Sequence, residues 1–328
     1  MSMQGGTVLV TGAAGFIGSQ LSERLVARGD AVVGLDNFND FYDPAIKRRN
    51  VAGLLAGGGF RMVEGDIRDR DLVARAFREH RPASVVHLAA MAGVRPSLAD
   101  PVLYHDVNCT GTAVMLAAAR DAGVSRFVFG SSSSVYGGNT RVPFHEDDDV
   151  SRPVSPYAAT KRANELTCAT FHHLYGMDIA ALRFFTVYGP RQRPEMAIHK
   201  FVRHVEQGVP LPLFGDGASQ RDYTYIDDIL DGVLKAHDRS RGFRIYNLGE
   251  SQTISLRDLV AAIGRATGRE PRVDWQPMQP GDVVATFADI RRAREELGYD
   301  PRTDVPAGLA KFVAWYRGPA GPAGRGTA

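Results

Sequence analysis

The chain has 328 residues, and at roughly 150 residues per domain that length points to two domains. Apolar residues make up 44% and charged residues 23%, which excludes a disordered or fibrous chain as a whole. Its 39 basic and 37 acidic side chains leave +2, too little bulk charge to recruit nucleic acid or an anionic membrane. Two cysteines without zinc spacing exclude a disulfide framework and lead us to expect a reduced, cytoplasmic setting. No apolar run approaches the ~20 residues of a membrane span. The first such run soon meets Gly12 and Gly15, so it reads as a buried strand rather than a signal peptide.

In chain order, short and nearly all-apolar runs at 7–10, 31–36, 60–64, 85–88, 126–129 and 179–184 read as strands covered on both faces. Helical patterns lie between them at 17–28, 72–81, 101–122 and 156–175. This alternation predicts an α/β, Rossmann-type doubly wound parallel sheet, with ligands at the carboxyl ends of its strands. Beyond about residue 186, proline and glycine become dense across 188–194 and 208–217, before a strand at 243–248 and a helix at 255–267. We therefore expect a first domain over 1–186, joined by part of 222–267. A smaller, looser C-terminal domain over 187–317 supplies the other wall of a cleft, and 318–328 forms a flexible tail.

The run Thr11-Gly12-Ala13-Ala14-Gly15-Phe16-Ile17-Gly18 lies between the first strand and the first helix. Gly12 permits the turn, Gly15 lets backbone approach a pyrophosphate, and Gly18 packs helix on strand, while the helix N-terminus offers free N–H groups. A glycine pattern alone is an ordinary βα turn. Opening the first unit of a parallel sheet, it predicts a dinucleotide site, although its GxxGxxG spacing is one residue longer than GxGxxG. Asp36 ends the second strand, where a carboxylate accepts from the ribose hydroxyls and repels a 2′-phosphate, so NAD is the expected cofactor. The basic trio Lys47-Arg48-Arg49 reads as solvated helix surface. Asp66, in Gly65-Asp66-Ile67, is placed either to reach the adenine or to cap the next helix.

In Ser155-Pro156-Tyr157-Ala158-Ala159-Thr160-Lys161, Pro156 suits a first helical turn and puts Tyr157 and Lys161 on one face. A tyrosine near pKa 10 is a poor base at neutral pH, but a neighbouring ammonium and an oxidised nicotinamide favour its phenolate. Such a phenolate takes a proton from a sugar hydroxyl while the carbon loses hydride. Alone, YxxxK is a common surface pair. Upstream, however, the strand Phe127-Val128-Phe129-Gly130 ends in Ser131-Ser132-Ser133-Ser134, where an α/β site should lie, and Ser132 is the choice for the orienting hydroxyl. A serine run is often plain turn chemistry, so that role rests on position.

With these elements in order, the chain resembles the extended short-chain dehydrogenase/reductase family, and more narrowly its NAD-dependent nucleotide-sugar 4-epimerases, over about residues 5 to 316. The motifs are the glycine turn, His87-Leu88-Ala89-Ala90, Asn108, the serine run with Tyr136-Gly137, Tyr157/Lys161, Arg183-Phe184-Phe185-Thr186-Val187-Tyr188-Gly189-Pro190, and Arg221-Asp222-Tyr223 followed by Asp227-Asp228. The resemblance implies that Phe16, Ile17, Asn37, Ile67, Leu88, Ala89, Ala90 and Asn108 join Gly12, Gly15, Gly18, Asp36 and Asp66 at NAD. Ser133-Ser134 replaces the Asp-Glu pair of dehydratases and the Glu of uronate decarboxylases, leaving redox-neutral epimerisation through a 4-keto sugar.

UDP-glucuronate 4-epimerases are the most similar in detail. They share loops like Asn37-Phe38-Asn39-Asp40-Phe41-Tyr42-Asp43 and Ala92-Gly93-Val94-Arg95, a Thr at 186, and a run like Gln279-Pro280-Gly281-Asp282-Val283. The resemblance implies that Ser133, Ser134, Thr186 and Arg193 hold the sugar carboxylate, that Arg221 holds the diphosphate, and that Arg95 and Asp282 also face substrate. A guanidinium fork suits a carboxylate, although Arg193 also reads as an ordinary loop arginine. Relatives often carry Trp-Gly at Arg191-Gln192, while hexose epimerases show Pro-Arg-Gln; a UDP-glucose/UDP-galactose 4-epimerase is thus the alternative. A UDP-glucuronate decarboxylase and a non-catalytic NAD-binding regulator are further readings, the first disfavoured by Ser133-Ser134 and the second because Tyr157 and Lys161 are both present. Such relatives pair as homodimers through helices like those at 101–122 and 156–175. His172-His173 point about 100° apart on one helix, so no metal is expected, Cys109 and Cys168 read as small buried residues, and the acidic run 146–149 reads as a solvated loop.

Overall fold

The computed structural model describes residues 6–277 and 285–324. The amino-terminal part alternates strictly: β1 (Thr7–Thr11), α1 (Phe16–Ala27), β2 (Ala31–Asp36), α2 (Pro44–Gly57), β3 (Phe60–Glu64), α3 (Arg70–His80) and β4 (Ser84–His87). Then come α4 (Val94–Ala99), α5 (Pro101–His105), a π-turn (Asp106–Thr110), α6 (Gly111–Asp121), β5 (Arg126–Ser132), α7 (Pro156–Tyr175) and β6 (Asp178–Phe184). The carboxyl-terminal part holds β7 (Thr186–Tyr188), α8 (Ala197–Gln207), β8 (Leu211–Phe214), β9 (Gln220–Arg221), β10 (Tyr223–Tyr225), α9 (Ile226–Arg239) and β11 (Phe243–Leu248). It ends with β12 (Ile254–Ser255), α10 (Leu256–Thr267), β13 (Val273–Gln276), α11 (Arg291–Leu297) and α12 (Val305–Arg317).

Seven strands form one parallel sheet in the order β3-β2-β1-β4-β5-β6-β11. The direction of winding reverses between β1 and β4, and that switch point is where such sheets bind ligands. Both faces are covered. Val8 and Val10 pack into one buried cluster while Leu9 between them packs into the other, which is why β1 carries no polar alternation. Prolines open α2, α5 and α7 behind side-chain caps from Asp43, Asp100 and Ser155, so three helix starts are set by local chemistry.

The 101–122 stretch is helical throughout but not one regular helix: it widens into the π-turn, which carries Asn108. Late in the chain, β11 pairs with β6 and returns to the large sheet, while β7–β10, β8–β13 and β9–β12 form three separate pairs. Residues 318–324 turn back on the end of α12, where the Ala323 N–H donates to the Tyr316 carbonyl at 3.0 Å. Among the described residues no helix is long and apolar enough to cross a membrane.

Candidate active site

A cavity of about 580 Å³ opens at the switch point, with the glycine turn as its floor. Gly12 sits at φ 67°, and a Cβ there would lie 2.9 Å from the Ala89 nitrogen. At Gly18 a Cβ would lie 2.1 Å from the Gly12 carbonyl oxygen, so the turn closes only without side chains. Gly15 caps α1 without any side-chain bond, which leaves the first N–H groups of a twelve-residue helix facing the cavity. Asp36 at the end of β2 is fixed by N–H groups of Ala14 (3.1 Å) and Phe38 (2.9 Å), with lone pairs left for a ribose. A phosphate-accepting helix end, a bare cradle and a carboxylate at one rim fit a dinucleotide of the NAD type.

The second wall carries the candidate acid–base groups. Ser155 caps α7 by accepting from the Ala158 N–H at 3.1 Å, and Tyr157 and Lys161 follow one turn apart. The Lys161 ammonium lies 5.9 Å from the Tyr157 ring centre and donates to the Gly130 carbonyl at 2.7 Å. The Tyr104 ring meets Tyr157 edge-on at 6.2 Å. Ser132 ends β5 and accepts from the Ser134 hydroxyl at 2.8 Å. Burial pushes the Lys161 ammonium down to about 8. Burial also pushes the Tyr157 phenol up, against the pull of Ser132 and the Arg193 charge. Burial of the phenol thus opposes the ionisation that Ser132 and Arg193 favour.

Thr186, Arg193, Arg221, Arg95, Ser133 and Ser134 all line the same cavity. Arg193 pairs with Glu195 through Nε at 3.2 Å and lies 5.4 Å from the Phe41 ring centre. Arg221 and Arg95 also line an adjoining pocket with Phe214 and Leu213, and the Arg95 guanidinium lies 5.6 Å from the Phe214 ring centre. Of the cofactor set, Phe16, Ile17, Asn37, Asp66, Ile67, Leu88, Ala89 and Ala90 line the cavity. Asp282 lies outside the described residues.

Asn108 does not line it. Its amide exchanges both bonds with the Met91 backbone, accepting from N–H at 2.8 Å and donating to the carbonyl at 3.0 Å, so it shapes the wall from behind. Lys47 is not solvated surface: it is buried, lines the cavity, and donates to the carbonyl (2.9 Å) and side-chain oxygen (2.6 Å) of Asn39. Asp66 is not the cap of α3. Asp69 is, while Asp66 takes Arg68 at 2.8 Å and Asn37 at 3.0 Å. Nor is Glu146 in a solvated loop; it is buried and accepts from the Asn247 N–H at 2.8 Å. The sequence reading also missed Phe41, Tyr42, Phe144, Phe185 and Met196 in the lining. An aromatic run in 37–43 was visible, but the loop's fold over the site was not. Among the described residues no His, Cys, Asp and Glu cluster could hold a metal.

A glycine turn at the switch point, a serine-ended β5 and a Tyr/Lys pair on the next helix define an extended short-chain dehydrogenase/reductase. The chain belongs to the NAD dependent epimerase/dehydratase family, whose model matches residues 8–249. It is 42% identical to a UDP-glucuronate 4-epimerase of Thermodesulfobacterium geofontis, over 95% of this chain and 96% of that one. The crystal structure of a UDP-glucuronic acid 4-epimerase from Bacillus cereus, in complex with UDP-glucuronic acid and NAD, superposes with TM-score 0.89. It is 34% identical and covers 95% of this chain and 99% of that one. A UDP-glucose 4-epimerase of Thermus thermophilus in complex with NAD gives 0.87 at 36% identity, over 95% and 99%.

Proposed function

We infer that this chain is an NAD-dependent 4-epimerase of UDP-sugars, converting UDP-glucuronate to UDP-galacturonate through a transient 4-keto sugar. The observation that carries the uronate reading is one cavity lined by both the Tyr157/Ser132/Lys161 group and Arg193 with Thr186, Ser133 and Ser134. Overall likeness does not separate uronate from hexose epimerases among solved structures, since both superpose equally well. The identity to UDP-glucuronate 4-epimerases over nearly the whole chain tips the balance.

The Gly12–Gly18 turn, the α1 N-terminus and Asp36 would hold NAD, which would supply a hydride acceptor and donor for C4 and a positive charge that favours the phenolate. As the phenolate, Tyr157 would take the proton of the C4 hydroxyl when that carbon gives up hydride, and as the phenol it would return the proton when hydride comes back to the opposite face. Ser132 orients the reacting oxygen, and Lys161 holds its charge under the site. Arg193, with hydroxyls of Thr186, Ser133 and Ser134, grips the carboxylate, while Arg221 takes the diphosphate and Arg95 faces the nucleotide sugar. A 4-keto uronate is a β-keto acid that loses CO₂ readily, so a fixed carboxylate also protects the intermediate. Residues 1–186 with part of 222–267 thus serve as the cofactor wall and 187–317 as the sugar wall.

The test is incubation of the purified enzyme with UDP-glucuronate and UDP-glucose, without added NADH. UDP-galacturonate is the expected product; inertness toward UDP-glucuronate with turnover of UDP-glucose would sink the uronate reading. Arg193→Met should raise the uronate KM at least tenfold, and an unchanged uronate rate refutes its role. Two further readings go with this. Exposed Leu98 (62%), Val102 (76%) and Leu166 (54%) on α4, α5 and α7 suit a homodimer through those helices, checked by sedimentation. Two free cysteines suit a reduced, cytoplasmic setting.

A further inference from the structure

Behind the serine loop lies a buried ion pair that does not itself line the cavity but bonds the lining residue Ser131 and joins both elements that supply an acid–base group. Glu165 stands on α7 one turn beyond Lys161. Its Oε1 accepts from the Ser131 hydroxyl at 2.7 Å and from Arg183 Nε at 2.9 Å, and its Oε2 accepts from Arg183 Nη2 at 2.9 Å and from the half-buried Arg162 Nη1 at 3.1 Å. Glu165 and Arg183 are each 1% exposed. Ser131 directly precedes Ser132 on β5 and stands opposite Arg183 in the register with β6. The third arm of Arg183, Nη1, donates to the Glu146 carbonyl at 3.1 Å, and its guanidinium lies 4.8 Å from the Tyr136 ring centre.

We propose that Glu165 and Arg183 are positioning residues for the epimerase reaction, setting the distance between Ser132 on β5 and Tyr157 on α7. The bidentate pair can take only one geometry, and Ser131 reads that geometry onto the neighbouring hydroxyl. One residue earlier on β5, Lys161 is bolted to the Gly130 carbonyl, so two successive strand residues are fixed to two successive turns of the helix bearing Tyr157. Were the pair only a source of stability, an apolar pair of similar volume would serve as well, because buried ion pairs often yield no net stability over such replacements. Its geometry fixes the relative place of two reacting side chains, where a misplacement of ~1 Å costs ~10²-fold in rate.

This inference rests on the roles given above to Tyr157 and Ser132, and Tyr157→Phe checks that footing: it must lower kcat at least ~10²-fold in the same assay. The test compares the double variant Glu165→Leu/Arg183→Met, which removes both charges together, with Ser131→Ala, which keeps them paired. Steady-state kinetics with UDP-glucuronate should show kcat down at least tenfold in the double variant and at least threefold in Ser131→Ala. KM should stay within threefold in both, and thermal midpoints near wild type. The pH profile of kcat should shift in the double variant, since the Ser132 contact that favours phenolate loosens. A folded double variant with kcat within twofold of wild type overturns the proposal. If that variant does not fold, Ser131→Ala decides alone: kcat within twofold overturns the proposal, and a threefold loss at constant KM supports it. A Tyr157→Phe variant with kcat within tenfold of wild type would instead overturn the underlying assignment.

Discussion

Lys161 carries an ammonium where burial pushes it down to about 8 from the usual 10.5. Between these values the unfolded chain binds more protons than the native one. This group therefore costs stability below pH 8, and the cost fades as pH rises through that window. The shift corresponds to about 3 kcal/mol, and losing the Gly130 bond would take back about 1 kcal/mol. Lys161→Met should accordingly raise the calorimetric Tm at pH 7 by a few degrees while turnover is lost; a lower Tm would show that the hydrogen bond outweighs desolvation. Tyr157→Phe isolates the neighbouring group. It removes one oxygen and keeps the ring packed on Tyr104, so kcat should fall by ~10²–10⁴ with Tm unchanged, as read by single-turnover kinetics. The two variants separate charge from proton transfer, since only the first should alter stability.

At the scale of elements, the glycine turn joins β1 to α1 with no room to spare. Gly18→Ala puts a methyl 2.1 Å from the Gly12 carbonyl oxygen, and backbone on both sides must move. NAD affinity should drop at least tenfold in a fluorescence titration, with a stability loss of about 1–3 kcal/mol from overpacking. A variant that binds NAD normally would show that the turn can open without cost. That turn was legible because its function needs local glycine chemistry, and strand 31–36 was legible because burial on both faces leaves an unbroken apolar run, whereas 60–64 and 243–248 are the sheet's edge strands and keep enough apolar residues to show despite Arg61 and Arg244. The candidate site was legible for the same reason: Tyr157 and Lys161 lie on one helix, and Ser132 ends the adjacent strand. Helix α2 was not, since Lys47, Arg48 and Arg49 interrupt its apolar pattern. Burial of Lys47 depends on how the 37–43 loop folds over it, and burial of Glu146 depends on Arg183 and Asn247, 37 and 101 residues away. Local sequence carries no trace of such partners.

At the scale of the whole molecule, the large sheet meets the carboxyl-terminal helices at an acidic seam. Glu250 follows the end of β11, is 8% exposed, and its Oε2 has no partner among the described residues. Around it stand Asp222 just before β10, Asp228 in α9 and Asp304, which caps α12. Burial and these three carboxylates push its carboxyl up to about 8. A free carboxyl loses its proton near 4.5, so between about pH 4.5 and 8 the native chain holds a proton that the unfolded chain has lost. This group's stabilising contribution is therefore full below pH 4.5 and declines as pH rises, until the native group also ionises near 8. Asp222 does not share that fate to the same degree, because it already accepts from the N–H groups of Glu250, Ser251 and Ala288 and from the Thr224 hydroxyl. Glu250→Gln keeps the shape and neutrality of the protonated acid while removing the titration. Its Tm should match wild type at pH 5 and exceed it by a few degrees at pH 8, measured by calorimetry in a series of buffers. Parallel curves would mean that Glu250 is ionised throughout, and the seam would then be held against four like charges rather than relieved by a proton.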